Sequence, residues 1–141
     1  MANYMASART NYFRVTDEEK YKELFNGLCG EDDIADFTKE ENGVVYHGFG
    51  SYCSIEYCAP SEEDDDYEYN FDAFLDELQK ILPDDEVFVY MEAGNEKLRY
   101  VSGYVIVMTN KECKSMSLDN WARQQAKQML NNDDFETQMT Y

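Results

Sequence analysis

Two amphipathic helical segments separate the strand-like parts of this 141-residue chain. In the second segment, residues 71–82, apolar side chains recur every three or four positions, and Pro83 ends the pattern. The first segment, residues 17–28, has the same spacing and follows Thr16, with Glu19 placed to complete a capping box. Runs of strands interrupted by single helices are typical of helices on one face of a mainly antiparallel sheet. The sequence therefore predicts an α+β fold with a ferredoxin-like β-α-β-β-α-β core.

Turn residues and a third helical pattern complete the predicted architecture. Asn42-Gly43 lies between two strand-like runs and indicates a hairpin. Ser117 caps a third helix over residues 118–130, whose apolar side chains we expect to be buried: Leu118, Trp121, Ala122, Ala126, Met129 and Leu130. The predicted strands cover residues 9–15, 34–38, 44–49, 52–57, 86–91, 97–102, 104–109 and 113–116. We expect one domain, 1–141, with flexible ends at 1–8 and 131–141.

Acidic side chains strongly outnumber basic ones. The chain has 30 Asp and Glu against 12 Lys and Arg, for a formal net charge of −18. Binding to nucleic-acid phosphates or to an anionic membrane requires a basic surface, so we expect neither as a direct partner. An acidic disordered tail is also excluded, because 43% of the residues are hydrophobic and 15% are aromatic.

The densest acidic run covers residues 62–77 and contains no base. On a helix, Asp72 and Asp76 lie about 6 Å apart along the axis, and successive phosphates of one nucleic-acid strand advance about 3.4 Å. Carboxylates at this spacing resemble a phosphate strand in charge density and would attract a Lys/Arg groove, although such a run can also be a solvated face. The candidate partner-binding residues are Glu62, Glu63, Asp64, Asp65, Asp66, Tyr67, Glu68, Tyr69, Asp72 and Asp76.

The four cysteines and the single histidine match no known catalytic or metal-binding motif. Cys53 and Cys58 are five residues apart in one predicted strand, so their side chains should point to opposite faces. No C-x2-C pair occurs. The N-terminus does not have the pattern of a secretory signal, so we expect a cytoplasmic protein with reduced thiols. His47 is expected to be a structural residue of the sheet.

Two further motifs are incomplete. Gly48-Phe49-Gly50 lacks the third glycine and the lysine of a phosphate-binding loop, and a bend in a strand explains it better. Asp64-Asp65-Asp66 lacks the glycine and glutamate spacing of an EF-hand. We therefore predict no cofactor, no metal site and no enzymatic activity. A small enzyme that uses His47 or Cys53 is the alternative.

Three segments resemble a family of small acidic proteins of conjugative and phage-like mobile elements in Gram-positive gut bacteria. They are residues 9–28 (RTNYFRVTDEEKYKELFNGL), 45–52 (VYHGFGSY) and 98–103 (LRYVSG). The resemblance brings no catalytic residues with it. Mobile elements often encode anti-restriction or anti-CRISPR proteins, and many of these are acidic mimics of nucleic acid. The resemblance thus implies an anti-defence role.

Charge and resemblance together lead to one hypothesis. The protein would be a non-enzymatic inhibitor that occupies the basic DNA- or RNA-binding surface of a nuclease or CRISPR effector. An immunity-type protein that neutralises a basic toxin would use the same electrostatics, and an acidic accessory subunit is a further alternative. The sequence leaves the oligomeric state open, since an exposed edge strand could pair two copies but the net charge would oppose it.

Overall fold

A computed structural model describes residues 4–60 and 67–139 of the chain. Three helices and mainly antiparallel strands confirm the predicted α+β class. The elements in chain order are β1 (Met5–Thr10), α1 (Glu18–Asn26), β2 (Leu28–Cys29), β3 (Ala35–Asp36), β4 (Lys39–Glu41), β5 (Val44–Tyr46), β6 (Phe49–Ser51), β7 (Glu56–Pro60), β8 (Tyr67–Tyr69), α2 (Phe71–Gln79), β9 (Phe88–Glu96), β10 (Tyr100–Met108), β11 (Cys113–Ser117) and α3 (Leu118–Leu130).

The main sheet has six strands in the order β11-β10-β9-β1-β6-β3, and all of its pairs are antiparallel. Four of these strands, β1, β3, β6 and β9, alternate with α1 and α2 along the chain as β-α-β-β-α-β. Their order in the sheet, β9-β1-β6-β3, is the one expected of a ferredoxin-like core, and β10 and β11 extend that core beyond β9. The smaller sheets are β2-β7-β8 and the hairpin β4-β5.

The N-terminal segment lies in the middle of the main sheet. β1 pairs with β9 along its whole length and with β6 at Ala8 and Arg9. Residues 5–8, expected to be flexible, are therefore strand residues, and the predicted strand 9–15 starts too late. Beyond β1, Phe13 makes only an isolated bridge to His47. β1 consists mainly of small and polar residues, so it has no apolar alternation from which a strand could be predicted. Its stability comes instead from pairing on both edges.

Helices α1 and α2 cover one face of the main sheet, and the core between them is rich in aromatic rings. Phe49 is fully buried and lies 5.8 Å from the ring of Phe74 on α2, measured between centroids. Phe13 and Phe88 meet edge to face at 5.1 Å. The predicted apolar face of the second helix is confirmed by the burial of Phe74, Leu75 and Leu78. The predicted helix end at residue 82 is wrong, because α2 ends at Gln79, and Ile81 and Leu82 are buried beyond it.

The helix starts follow the capping residues closely. The Asn70 side chain accepts a hydrogen bond from the Ala73 amide at 3.3 Å, as an N-cap at this position should. In α1 the cap is Asp17 rather than Thr16, because the Asp17 carboxylate accepts from the Lys20 amide at 3.0 Å. A carboxylate also interacts favourably with the positive end of the helix dipole.

The predicted hairpin at Asn42-Gly43 is confirmed, since both residues have positive φ, 53° and 79°. The predicted gap between the strands 86–91 and 97–102 is wrong. β9 continues through it, and the turn to β10 comes later, at Lys97 with φ 49°. Gly94 instead permits close approach, because a Cβ there would lie 2.4 Å from the Met5 carbonyl oxygen. Gly103, which separates the predicted strands 97–102 and 104–109, lies inside β10.

The opposite face of the main sheet is only partly covered. Gly103 points to this face, and a Cβ on it would lie 2.9 Å from Leu118 Cδ1, so the first turn of α3 rests there. The predicted burial of α3 is wrong: the helix has no buried residue, and Trp121 is 49% and Met129 81% exposed. Apolar spacing indicated an amphipathic helix correctly, but it could not show how closely the helix approaches the sheet.

Candidate functional site

The acidic run is only partly within the described structure. Its first members, Glu62, Glu63, Asp64, Asp65 and Asp66, lie outside the described residues. Tyr67, Glu68 and Tyr69 form β8, whose backbone pairs with β7. β8 is separated from α2 by Asn70 alone, and α2 carries Asp72 and Asp76.

Asp72 and Asp76 are exposed on α2, on the side away from Phe74 and Leu78. Neither aspartate has an ion-pair partner in residues 4–60 and 67–139. Both lie near the start of β11, where desolvation, and then these two negative charges, raise the pKa of the Cys113 thiol. We call this pair the α2 acidic face; it confirms that the predicted helical spacing brings the two carboxylates to one side.

The lysines beside the α2 acidic face form ion pairs with a different carboxylate, that of Glu77. Lys80 Nζ lies 2.9 Å from Glu77 Oε1 and Lys20 Nζ lies 3.5 Å from Glu77 Oε2. The pKa of Glu77 is consequently lowered, chiefly through the hydrogen bond from Lys80. Lys20 also reaches Glu23 at 4.0 Å. Neither lysine therefore forms an ion pair with Asp72 or Asp76.

His47 has the surroundings of a structural residue. Its backbone exchanges hydrogen bonds with Phe13, and its ring lies 4.0 Å from the ring of Tyr21. Nε2 is 2.6 Å from Glu18 Oε2, and Nδ1 is 3.1 Å from Thr38 Oγ1. Both ring nitrogens of this buried side chain are therefore satisfied within the fold.

Cys53 does not join His47 in a common site. Its sulfur lies 3.2 Å from Ser51 Oγ and 3.8 Å from the Asp32 carbonyl oxygen, and no hydrogen bond links it to the histidine. The prediction that Cys53 and Cys58 share one strand is wrong, because Cys53 precedes β7 and Cys58 lies within it. This geometry therefore does not pair Cys53 with His47 as the nucleophile and base of a small enzyme.

A buried carboxylate that the sequence analysis did not single out lies in β9. Glu92 is 7% exposed and accepts hydrogen bonds from Tyr90 Oη at 3.0 Å, Ser54 Oγ at 3.1 Å and Tyr104 Oη at 3.4 Å. Strand alternation after Phe88 and Tyr90 would have placed it on the core face. Burial, more than the negative charge nearby, raises the pKa of Tyr104 to about 12 and that of Tyr90 further.

Because of these buried tyrosines, we expect the free energy of unfolding to fall at alkaline pH. Burial also raises the pKa of Tyr21, so Tyr21, Tyr90 and Tyr104 stay protonated in the fold, whereas they ionise near pH 10 in the unfolded chain. The stability they contribute is complete below about pH 10 and falls as the pH rises, by up to about 1.4 kcal/mol per pH unit for a fully buried tyrosine.

Urea unfolding between about pH 9 and about pH 11 measures this effect. Tyr90→Phe should reduce the slope, and Tyr52→Phe, at a site 83% exposed, should leave it unchanged. An unfolding free energy that stays flat over this range would contradict the prediction.

Among residues 4–60 and 67–139, no group of three or more His, Cys, Asp or Glu side chains is arranged to hold a metal ion. No helix there combines the length and the apolar character needed to cross a membrane.

Comparisons with protein-family models, curated proteins and solved structures found no match for the chain.

Proposed function

We propose that the protein is a non-enzymatic inhibitor that occupies the basic DNA- or RNA-binding surface of a nuclease or CRISPR effector. The observation that carries the proposal is the α2 acidic face, whose two exposed carboxylates have no basic ion-pair partner among the described residues. In the sequence it follows the most acidic part of a chain with net charge −18. A basic groove would be attracted to such a surface at long range, with strong dependence on salt.

Rigidity supports this role, because a mimic must hold its charges in place. α2 is capped at Asn70 and anchored by the buried Phe74 and Leu78, so Asp72 and Asp76 project from a fixed helix. β8, which carries Glu68 of the run, pairs with β7 at Pro60 and Tyr67 and is followed directly by Asn70 and α2.

Capture from a bacterial lysate tests the proposal. The tagged protein is incubated with lysate treated with nuclease, and the beads are washed at rising salt. We expect one basic nuclease or effector to be retained without nucleic acid and released at high salt. The purified partner should then lose its DNA or RNA in competition with the protein.

Two outcomes would contradict the proposal. A partner that binds its nucleic acid and this protein at the same time cannot be inhibited by mimicry. Partners whose retention is indifferent to salt would show that the acidic surface is only a solvated face. A captured basic toxin without a nucleic-acid substrate would favour the immunity-type alternative.

A further inference from the structure

A wide groove lies between α3 and the sheet face that α1 and α2 leave uncovered. Its volume is about 1070 Å³, and much of its lining is apolar: Phe37, Met91, Ala93, Val105, Met116 and Trp121. Small-molecule sites usually have volumes of about 300–1000 Å³ and similar apolar walls with few polar groups. The groove is therefore large enough for an organic ligand, and it is separate from the α2 acidic face.

Small residues on the sheet create this space. Ala93 and Gly103 face each other on β9 and β10, and Gly50 lies two strands further along. A Cβ on Gly50 would come within 3.0 Å of the Phe37 ring, so glycine allows that ring to lie against the sheet. Larger side chains at these positions would fill the groove. The fold instead leaves Trp121 49% exposed above it.

One cation, Arg9, lines the groove from the central strand β1. Its Cζ lies 5.4 Å from the centre of the Phe37 ring, and its Nε donates to the Thr10 carbonyl oxygen at 3.2 Å. No carboxylate of the described residues comes within ion-pair distance of it, although Asp32 and Asp33 also line the groove. The terminal nitrogens of a guanidinium at such a site can bind a carboxylate through two parallel hydrogen bonds.

We propose that this groove binds a small organic acid with an apolar body, such as a medium-chain or aromatic carboxylate. The carboxylate would pair with Arg9, and the apolar body would lie against Met91, Met116 and Trp121. This assignment does not depend on the proposed inhibitor function, because none of these residues belongs to the acidic run.

Trp121 reports binding directly, since it is the one tryptophan of the chain. Its fluorescence is followed during titrations with decanoate, decanol and decylamine, which share a chain length and differ in charge. We expect a blue shift with decanoate, which should bind at least about 10-fold more tightly than the other two ligands. Arg9→Gln should weaken decanoate binding about 10-fold and leave decanol binding unchanged.

Arg99→Gln is the matched control, because Arg99 also lies over an aromatic ring, that of Tyr100, at 5.4 Å but does not line the groove. It should leave every titration unchanged. Ala93→Leu, at an exposed position of the groove floor, should abolish binding while circular dichroism stays the same.

Four results would overturn the assignment. Tighter binding of decylamine would mean that Asp32 and Asp33 determine ligand charge. Equal binding of all three ligands would mean that the groove does not select for charge. No change in Trp121 fluorescence with any ligand would mean that the groove binds none of the three. Emission that shifts with protein concentration alone would assign the groove to a second copy of the chain.

Discussion

Neutralising seven of the nine carboxylates in residues 62–77 is expected to weaken binding to the captured basic partner about 100-fold at low salt. The change replaces seven carboxylates with amides of the same shape: Glu62→Gln, Glu63→Gln, Asp64→Asn, Asp65→Asn, Asp66→Asn, Asp72→Asn and Asp76→Asn. Each exposed charge contributes only about 0.2–1 kcal/mol, but the seven act on the same basic surface. Dissociation constants measured at several salt concentrations should show a shallower salt dependence for the variant.

A second variant with the same change in net charge separates mimicry from overall acidity. It neutralises seven exposed acids away from the run: Glu31, Glu40, Glu41, Asp84, Asp133, Asp134 and Glu136. If both variants weaken binding equally, the partner responds to net charge alone. If neither inhibition nor its salt dependence changes in the first variant, mimicry through these residues is wrong.

Within the run, the pair Asp72→Asn and Asp76→Asn tests the α2 acidic face separately. Its matched control is the pair Asp133→Asn and Asp134→Asn, which removes the same groups from an exposed segment after α3. We expect the first pair to slow association several-fold and the second to have little effect. Stopped-flow or surface-based kinetics would resolve the difference in association rate.

Phe49→Ala is expected to lower the free energy of unfolding by about 3–5 kcal/mol. Phe49 is fully buried and contacts rings from both helices and from β9, with Phe74, Phe25 and Phe88 at 5.8, 6.3 and 6.3 Å between centroids. Truncation would leave a cavity at the point where these elements meet. Because small domains are stable by only about 5–15 kcal/mol, the variant should unfold at much lower urea concentration.

Tyr52→Ala is the control for this experiment, because its side chain is 83% exposed. Its unfolding free energy should stay within about 0.5 kcal/mol of the parent. Urea unfolding monitored by far-ultraviolet circular dichroism measures both variants. A loss below about 1 kcal/mol for Phe49→Ala would show that Phe49 is not central to the core.

Local signals predicted the fold well wherever a single element carried its own pattern. The Phe74 and Leu78 spacing and the Asn42-Gly43 turn each depend on neighbouring residues, and both are confirmed. β1 was misplaced because its stability comes from distant partners, β6 and β9, rather than from an apolar pattern. The predicted strands omit residues 92–96 of β9, because the close approach of Gly94 to Met5 is a tertiary contact.

The same difference between local patterns and tertiary contacts applies to the candidate sites. Helical periodicity alone put Asp72 and Asp76 on one exposed side of α2. The groove at Arg9 could not be predicted, because six strands and α3 contribute to it. The expectation that Trp121 is buried concealed the groove as well, since a tightly packed α3 would have left no space beneath it.

The central place of β1 also bears on the order of events during folding. β1 precedes its partners in the chain, and Met5 pairs with Asn95 and Thr10 with Tyr90, so its longer partner is made only after α1 and α2. Contacts this distant in sequence have a high entropic cost of closure and are typical of slowly folding proteins. The main sheet therefore cannot close before β9 is made, and β1 is inserted between two strands that follow it in the chain.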